Sequence, residues 1–247
     1  MRADVGGFHC AGAIANVRPE RQPLSRLSQH ALLQETCPMQ ADGPGMRAAP
    51  LPCVAAIVLA AGRSSRMGSQ NKLLADIGGL PMVRRVAETA LASKARPVLV
   101  VTGHMAADVG AAMSGLDVML VTNPDYATGL ASSLKAGIRA VPPECAGALI
   151  LLGDMPRIMS EHLDRLIDAF IADNGMVIIA PTRRGKRGNP IIWPPAFFPE
   201  LLEIEGDVGA RSLLIEHARQ VEEVDLDTDA IFADVDTPDA LARVRRG

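Results

Sequence analysis

From residue 54 onward the apolar positions switch between two periods. Residues 54–59 (VAAIVL) form a continuous apolar run of strand length, and 97–102, 118–122, 148–152, 176–180, 191–193 and 221–226 repeat that signal. Between these runs the apolar residues recur with helical spacing, over 81–92, 106–113, 129–139, 161–173, 208–217 and 238–246. Over 161–173 the pattern puts Leu163, Leu166, Ile167 and Phe170 on one face of a helix. Strands alternating with helices predict an α/β fold, a doubly wound, mostly parallel sheet with helices on both faces. Ligands of such sheets collect outside the carboxyl ends of the strands. Motifs that directly follow a strand therefore carry the most weight.

The first 50 residues lack this rhythm. They hold Gly6-Gly7, Pro19, Pro23, Pro38, Gly43-Pro44-Gly45 and Pro50, with no sustained apolar period. A disordered extension over 1–50 is expected, followed by one folded domain over 51–247. The apolar stretch 5–17 is broken by Gly, His and Asn and does not read as a signal peptide. Arg2, Arg18, Arg21 and Arg26 outnumber nearby acids, a weak transit-peptide pattern, and Met46 offers a later start of translation.

Composition narrows the class. With 48% apolar residues, 21% charged residues and a formal net charge of −3, the chain reads as an ordinary soluble protein. It has no basic excess for a phosphate backbone, and 3% aromatics are too few to stack single-stranded bases, so nucleic acid is not expected as a partner. The longest apolar run, 146–152, falls far short of the roughly 18 residues of a membrane span, and a cytoplasmic protein without membrane contact is expected. Cys10, Cys37, Cys53 and Cys145 form no CxxC pair and no zinc-like spacing; they read as free thiols in a reducing compartment.

The segment after the first strand, LAAGRSSRMGSQNK over 59–72, is rich in glycine and cations. Leu59, Ala60, Ala61 and Gly62 are apolar or small, so the backbone can approach a ligand and offer N–H groups. Arg63, Arg66 and Lys72 then match a triphosphate. The spacing is neither GxxxxGK[ST] nor GxGxxG, and a glycine turn with a solvated basic face is the plainer alternative. Asp154, in Gly153-Asp154-Met155-Pro156, leaves the end of a buried run, where one carboxylate plus substrate phosphates suits Mg²⁺, with Mn²⁺ as the alternative ion. Asp236 could reach the same metal, while Asp234 reads equally as a solvent or cap residue and Thr237-Pro238 as a helix cap.

Other motifs are more evenly balanced. Asn123, Gly129 and Ser132 join a strand to a helix and could touch base or ribose, or merely cap that helix. Gly185, Lys186, Arg187, Gly188, Asn189 and Pro190 form a flexible basic loop, and Asp207 and Arg211 open a helix; both could hold an anionic second substrate, or be a hairpin turn and a cap. No GxSxG elbow is present, and no histidine pairs in sequence with a serine or cysteine. His162 and His217 are expected on helix surfaces. Without a covalent nucleophile, direct displacement at phosphorus is the economical chemistry.

In this order the motifs LAAGRSSRMG with Lys72, NPDYATGLASSL, GDMP, RGNP, GDVGAR and DVDTP resemble the MobA-like nucleotidyltransferase superfamily, in particular its molybdenum cofactor cytidylyltransferases. The resemblance spans about residues 54–245. It implies a GT-A-like fold and transfer of CMP from CTP to a molybdopterin-type cofactor with release of pyrophosphate. Arg66, Lys72 and Asp154 would be catalytic, and Asp154 with Asp236 would hold the metal. Leu59 to Gly62, Asn123, Gly129 and Ser132 would join them in holding the nucleotide. Arg187 to Pro190, Asp207 and Arg211 would hold the acceptor. Ala60-Ala61-Gly62 looks like the cytidylyltransferase version of a loop that reads AGG in guanylyltransferases, and Asn189 stands where some relatives carry histidine. A molybdenum hydroxylase or its maturation chaperone is the implied partner. Two other readings stand beside it: transfer to a sugar phosphate or methylerythritol phosphate, and non-catalytic delivery of the cofactor.

Overall fold

A computed structural model describes residues 53–63, 71–206 and 210–246. β1 (Val54–Ala60) is an interior strand and all seven of its residues are buried. After a short 3-10 turn, β2 (Asp76–Ile77) and β3 (Leu80–Pro81) form a small hairpin and lead into α1 (Met82–Ala92). Then come β4 (Val98–Thr102), α2 (Ala106–Ala112), β5 (Met119–Thr122), α3 (Leu130–Arg139), β6 (Gly147–Leu152) and α4 (Ser160–Ala172). The second half runs β7 (Ile178–Arg183), β8 (Lys186–Arg187), β9 (Ile191–Trp193), α5 (Phe198–Glu203), α6 (Arg211–Glu216), β10 (Val221–Asp225) and α7 (Pro238–Arg245).

The main sheet has the order β10-β7-β9-β6-β1-β4-β5, with β8 paired to β7. β1 pairs in parallel with both β4 and β6. The chain steps outward from β1 to β4 and β5, then returns to the other side of β1 as β6. That reversal puts a topological switch point at the carboxyl ends of β1 and β6. β9 runs antiparallel to both β6 and β7, so the sheet is mixed on that side.

Alternation in β1 feeds two cores. Val54, Ala56, Val58 and Ala60 face the cluster built with Val83 and Val86 of α1 and Leu163, Leu166, Ile167 and Phe170 of α4. Ile57 and Leu59 face the opposite cluster, with Leu134 and Ile138 of α3, Leu201 of α5 and Leu213 of α6. Doubly wound packing is therefore what the two periods foretell. Among the described residues no helix is long and apolar enough to cross a membrane.

The observed elements depart from the sequence expectation in a few places. α6 begins at Arg211; residues 207–209 lie outside the described residues. The basic loop before β9 is a tight hairpin, in which Thr182 pairs with Arg187 and Arg183 with Lys186. Arg184 and Gly185 turn it with φ of 52° and 73°, the left-handed pair that suits the twist of a hairpin. His217 is half-buried, accepted by Glu200 at 2.6 Å and edge-on to Phe197, and the Glu200 contact raises its pKa.

His162 is buried, contrary to the expectation of a surface residue. Its Nδ1 accepts the Met159 N–H at 3.1 Å, which satisfies a backbone donor at the start of α4. Burial holds its pKa below the ordinary 6.5. Only the neutral ring accepts this bond, so its stabilisation is complete above pH 6.5 and is lost as pH falls through the lower folded value. Urea unfolding should therefore put wild type about 1 kcal/mol above His162→Ala near neutral pH. The gap should narrow as pH falls below 6.5; an unchanged gap would show that the ring is not the acceptor.

Candidate functional site

The chain leaves β1 through Ala60 and Ala61, which are buried, and then Gly62 and Arg63, which are exposed. His104 N–H donates to Ala61 O at 3.1 Å and pins the loop to the end of β4. A Cβ built on Gly103 would lie 2.8 Å from the Ala61 Cβ, so the Ala61 methyl packs against the neighbouring turn. Arg66, with residues 64–70, and Asp207 lie outside the described residues.

Next to this loop β6 ends at Leu152, and Gly153 N–H donates to Leu59 O at 3.0 Å. A Cβ on Gly153 would sit 2.9 Å from that same carbonyl oxygen. Only glycine fits here without moving backbone, and the close approach sets Asp154 beside the loop. Gly153→Ala is expected to cost about 1–3 kcal/mol of stability and to lower activity by displacing Asp154. Thermal melts and turnover of the folded fraction check this; a variant unchanged in both would refute the role.

A third segment arrives from the far end of the chain. Val235 N–H donates to Asp154 O at 3.0 Å. Val235 packs with Ile77, Met82 and Leu241, so α7 clamps the 234–236 segment in place. Thr237 caps α7 by accepting the Ala240 N–H at 3.2 Å, with Pro238 in the first turn, as its sequence predicts.

Lys72 joins these parts. It opens a 3-10 turn whose cap, Asn71, accepts the Leu73 N–H at 3.1 Å. The Lys72 Nζ lies 2.6 Å from Asp154 Oδ2 and 2.5 Å from Asp236 Oδ1. Burial pulls the ammonium down, but Asp154 and then Asp236 outweigh it and hold its pKa above 10.5. The sequence assigns the two carboxylates to a metal and the lysine to phosphate; the structure places the ammonium between the carboxylates. Asp234 stands nearby, exposed, with its pKa above the ordinary 3.8 through desolvation first and then the charges of Asp236 and Asp154. Negative charge thus exceeds positive among these four side chains.

The residues fit a divalent cation. Asp154 Oδ1 is buried with no hydrogen-bond partner among the described residues, an unused acceptor in a polar site. Among the described residues no group of three or more His, Cys, Asp or Glu could hold a metal alone. Mg²⁺-type ions bind through one or two carboxylates, which Asp154 and Asp236 could supply, completed by substrate phosphates and water.

The other expected nucleotide contacts sit in a hydrogen-bonded knot. Asn123 is buried and donates from Nδ2 to Ser132 Oγ at 2.9 Å and to Ser133 Oγ at 3.1 Å. Its Oδ1 accepts the Asp125 N–H at 3.0 Å. Ser132 Oγ donates toward Gly129 O at 2.8 Å and Asp125 O at 2.9 Å. These bonds shape the turn that opens α3, with Gly129 at φ 118°. Ala131 N–H donates to Gly206 O at 3.0 Å, which brings Gly206 against the same turn.

On the β9 side a cleft of about 800 Å³ is lined by Leu59, Leu152, Trp193, Lys186 to Asn189, Arg211 and Asp234, among others. Most of the expected acceptor residues therefore share one cavity with the end of β1. Arg187 is held by Glu223 at 2.6 Å and reaches Leu214 O at 3.3 Å. Asn189 N–H donates to Ile231 O at 3.0 Å, and the Asn189-Pro190 peptide is cis, with Pro190 buried. Phe232 was given no role from the sequence; the Nζ of Lys186, from the basic loop, lies 4.7 Å from its ring centroid at the cleft wall. Asn71 was also missed, although an Asn directly before a turn is an N-cap signal. A groove of about 880 Å³ beside α5 and α6 is lined by none of these site residues.

Residues 56–221 match the MobA-like NTP transferase domain family. A nicotine blue oxidoreductase from Paenarthrobacter nicotinovorans is 29% identical over 199 residues, covering 78% of this chain and 97% of the relative. The purine catabolism protein PucB of Bacillus subtilis (strain 168) is 30% identical over 216 residues, covering 79% of this chain and 97% of the relative. The crystal structure of Rv0371c from Mycobacterium tuberculosis H37Rv superposes with a TM-score of 0.71 at 27% identity, covering 80% of this chain and all of that one. The same protein has a structure in complex with manganese, which superposes with a TM-score of 0.65 at 26% identity, covering 79% of this chain and 99% of that one.

Proposed function

The chain belongs to the MobA-like NTP transferase family and is a nucleotidyltransferase, and on that premise we propose that it transfers CMP from CTP to a molybdopterin-type cofactor, releasing pyrophosphate. The observation that carries this reading is the meeting of Lys72, Asp154 and Asp236 at the switch point of the sheet. Two carboxylates and a cation beside a small-residue loop suit a metal–triphosphate substrate.

In this reading the acceptor's terminal phosphate attacks the α-phosphorus of CTP in line, and pyrophosphate departs. The backbone of Ala60 to Gly62 cradles the phosphates, while Arg66 and Lys72 take up charge on the departing group. Asp154 and Asp236 hold Mg²⁺ or Mn²⁺, which when bound neutralises charge on the triphosphate. A manganese complex of the Mycobacterium tuberculosis relative supports a divalent ion. Asn123, Gly129 and Ser132 shape the turn facing ribose and base. Arg187, Gly188, Asn189, Pro190, Asp207 and Arg211 hold the acceptor, with the apolar wall at Leu59 and Trp193 taking its ring system and the cations its phosphate. The choice of CTP rests on Ala60-Ala61-Gly62, whose buried Ala61 would act on the base through the position of the loop. The product would pass to a molybdenum hydroxylase or its maturation chaperone, within the cytoplasm.

The test is a panel of each NTP with Mg²⁺ and molybdopterin cofactor, read as pyrophosphate. Release with CTP is expected. Release with GTP would overturn the base, and release only with a sugar phosphate would overturn the acceptor. Cofactor binding without pyrophosphate would point to a delivery protein. One relative bears an oxidoreductase name; dye turnover without pyrophosphate would favour that chemistry instead.

A further inference from the structure

Cys53 and Cys145 stand at the amino ends of β1 and β6, at the opposite edge of the sheet from Lys72 and Asp154. The two strands pair in parallel from Val54 opposite Gly147, and Ala146 N–H donates to Cys53 O at 2.8 Å just before that. The ladder therefore holds the two cysteines side by side. Their sulfurs are 2.9 Å apart. Cys53 is partly exposed and Cys145 is buried beneath it. Both are free thiols in this structure.

We propose that Cys53 and Cys145 form a reversible disulfide by exchange with a low-molecular-weight disulfide such as oxidised glutathione. The Cys53 thiolate, the accessible one, attacks a sulfur of the small disulfide; one glutathione thiolate leaves and a mixed disulfide remains on Cys53. The Cys145 thiolate then attacks the Cys53 sulfur and expels the second glutathione thiolate. Two protein thiols are oxidised, one small disulfide is reduced to two thiols, and the two protons pass through solvent to the leaving thiolates. A disulfide bond is about 2.05 Å long, so the sulfurs have to close by about 0.9 Å, within reach of a side-chain adjustment.

Burial, and after it the contact with Cys53, pushes the Cys145 thiol up to about 12. In the mixed disulfide the Cys53 contribution falls away while the burial remains, and the second step quickens as pH rises because only the thiolate attacks. The closed loop is long, the two cysteines being 92 residues apart in sequence. A link of that span removes much freedom from the unfolded chain and stabilises the fold. It lies away from the nucleotide site, so turnover is expected to stay the same.

The experiment uses the full chain carrying Cys10→Ser and Cys37→Ser, so that only this pair can react. After oxidised glutathione at about pH 8.5, intact mass should fall by two hydrogens with no adduct retained, both thiols should be lost in denaturant, and dithiothreitol should restore them. The melting temperature should rise by about 5 °C or more. In the same background Cys145→Ala should stop at a glutathione adduct on Cys53, and Cys53→Ala should stay unmodified. A lasting adduct on Cys53 with Cys145 present, a link between two chains, or no oxidation would overturn the proposal.

Discussion

Asp154→Ala should lower pyrophosphate release by about 10³-fold or more while leaving the fold in place. The side chain supplies a carboxylate with one oxygen on Lys72 and the other buried, without a partner among the described residues. Alanine removes both acceptors from the point where a triphosphate's charge would have to be balanced. The bonds that assemble this corner are backbone bonds, Gly153 N–H to Leu59 O and Val235 N–H to Asp154 O, and they do not need the carboxylate. Lys72 also keeps Asp236 at 2.5 Å. Circular dichroism and the melting temperature should therefore stay near wild type. Turnover within tenfold of wild type in a folded variant would remove Asp154 from the chemistry.

Lys72→Met is expected to act on stability and on activity through the same missing charge. The Lys72 side chain is 13% exposed and its ammonium bridges two carboxylates from distant segments. Without it the two carboxylates lose the ammonium that bridges them, and about 1–3 kcal/mol of stability should be lost in EDTA. Mn²⁺ should restore more stability to the variant than it adds to wild type, since it replaces a cation the wild type already carries. The kcat/KM for the nucleotide should fall by about 10²-fold, because metal cannot replace a phosphate-binding side chain. Thermal melts with EDTA and with Mn²⁺, beside steady-state kinetics, read both effects. A variant as stable as wild type in EDTA would show that the bridge contributes nothing.

Most of the architecture is legible in the chain because it depends on local spacing. Apolar runs such as 54–59 and 148–152 are central strands, and the stripe Leu163, Leu166, Ile167, Phe170 is the buried face of α4. α5 escaped because Pro194, Pro195 and Pro199 break up the segment 194–203 that contains it, yet Pro199 sits in the first turn, where its missing N–H costs nothing. The tight turn at Arg184-Gly185 was open to a hairpin reading, and backbone pairing decided it. The antiparallel course of β9 has no sequence mark, because Ile191–Trp193 is too short and too uniformly buried to show direction.

The candidate site divides along the same line. By itself the sequence determined that a small-residue, cationic loop follows one central strand and that an aspartate follows another, since both are neighbours in the chain of the runs that become β1 and β6. It determined the cap at Thr237 for the same local reason. Only the tertiary structure decided that Lys72 lies between Asp154 and Asp236, that Ala61 packs its methyl against Gly103, and that His162 is buried with its ring on a backbone donor. Those outcomes rest on strand order, on desolvation and on Coulomb forces between residues far apart in sequence, and such forces act on distance in space, which apolar periodicity does not encode.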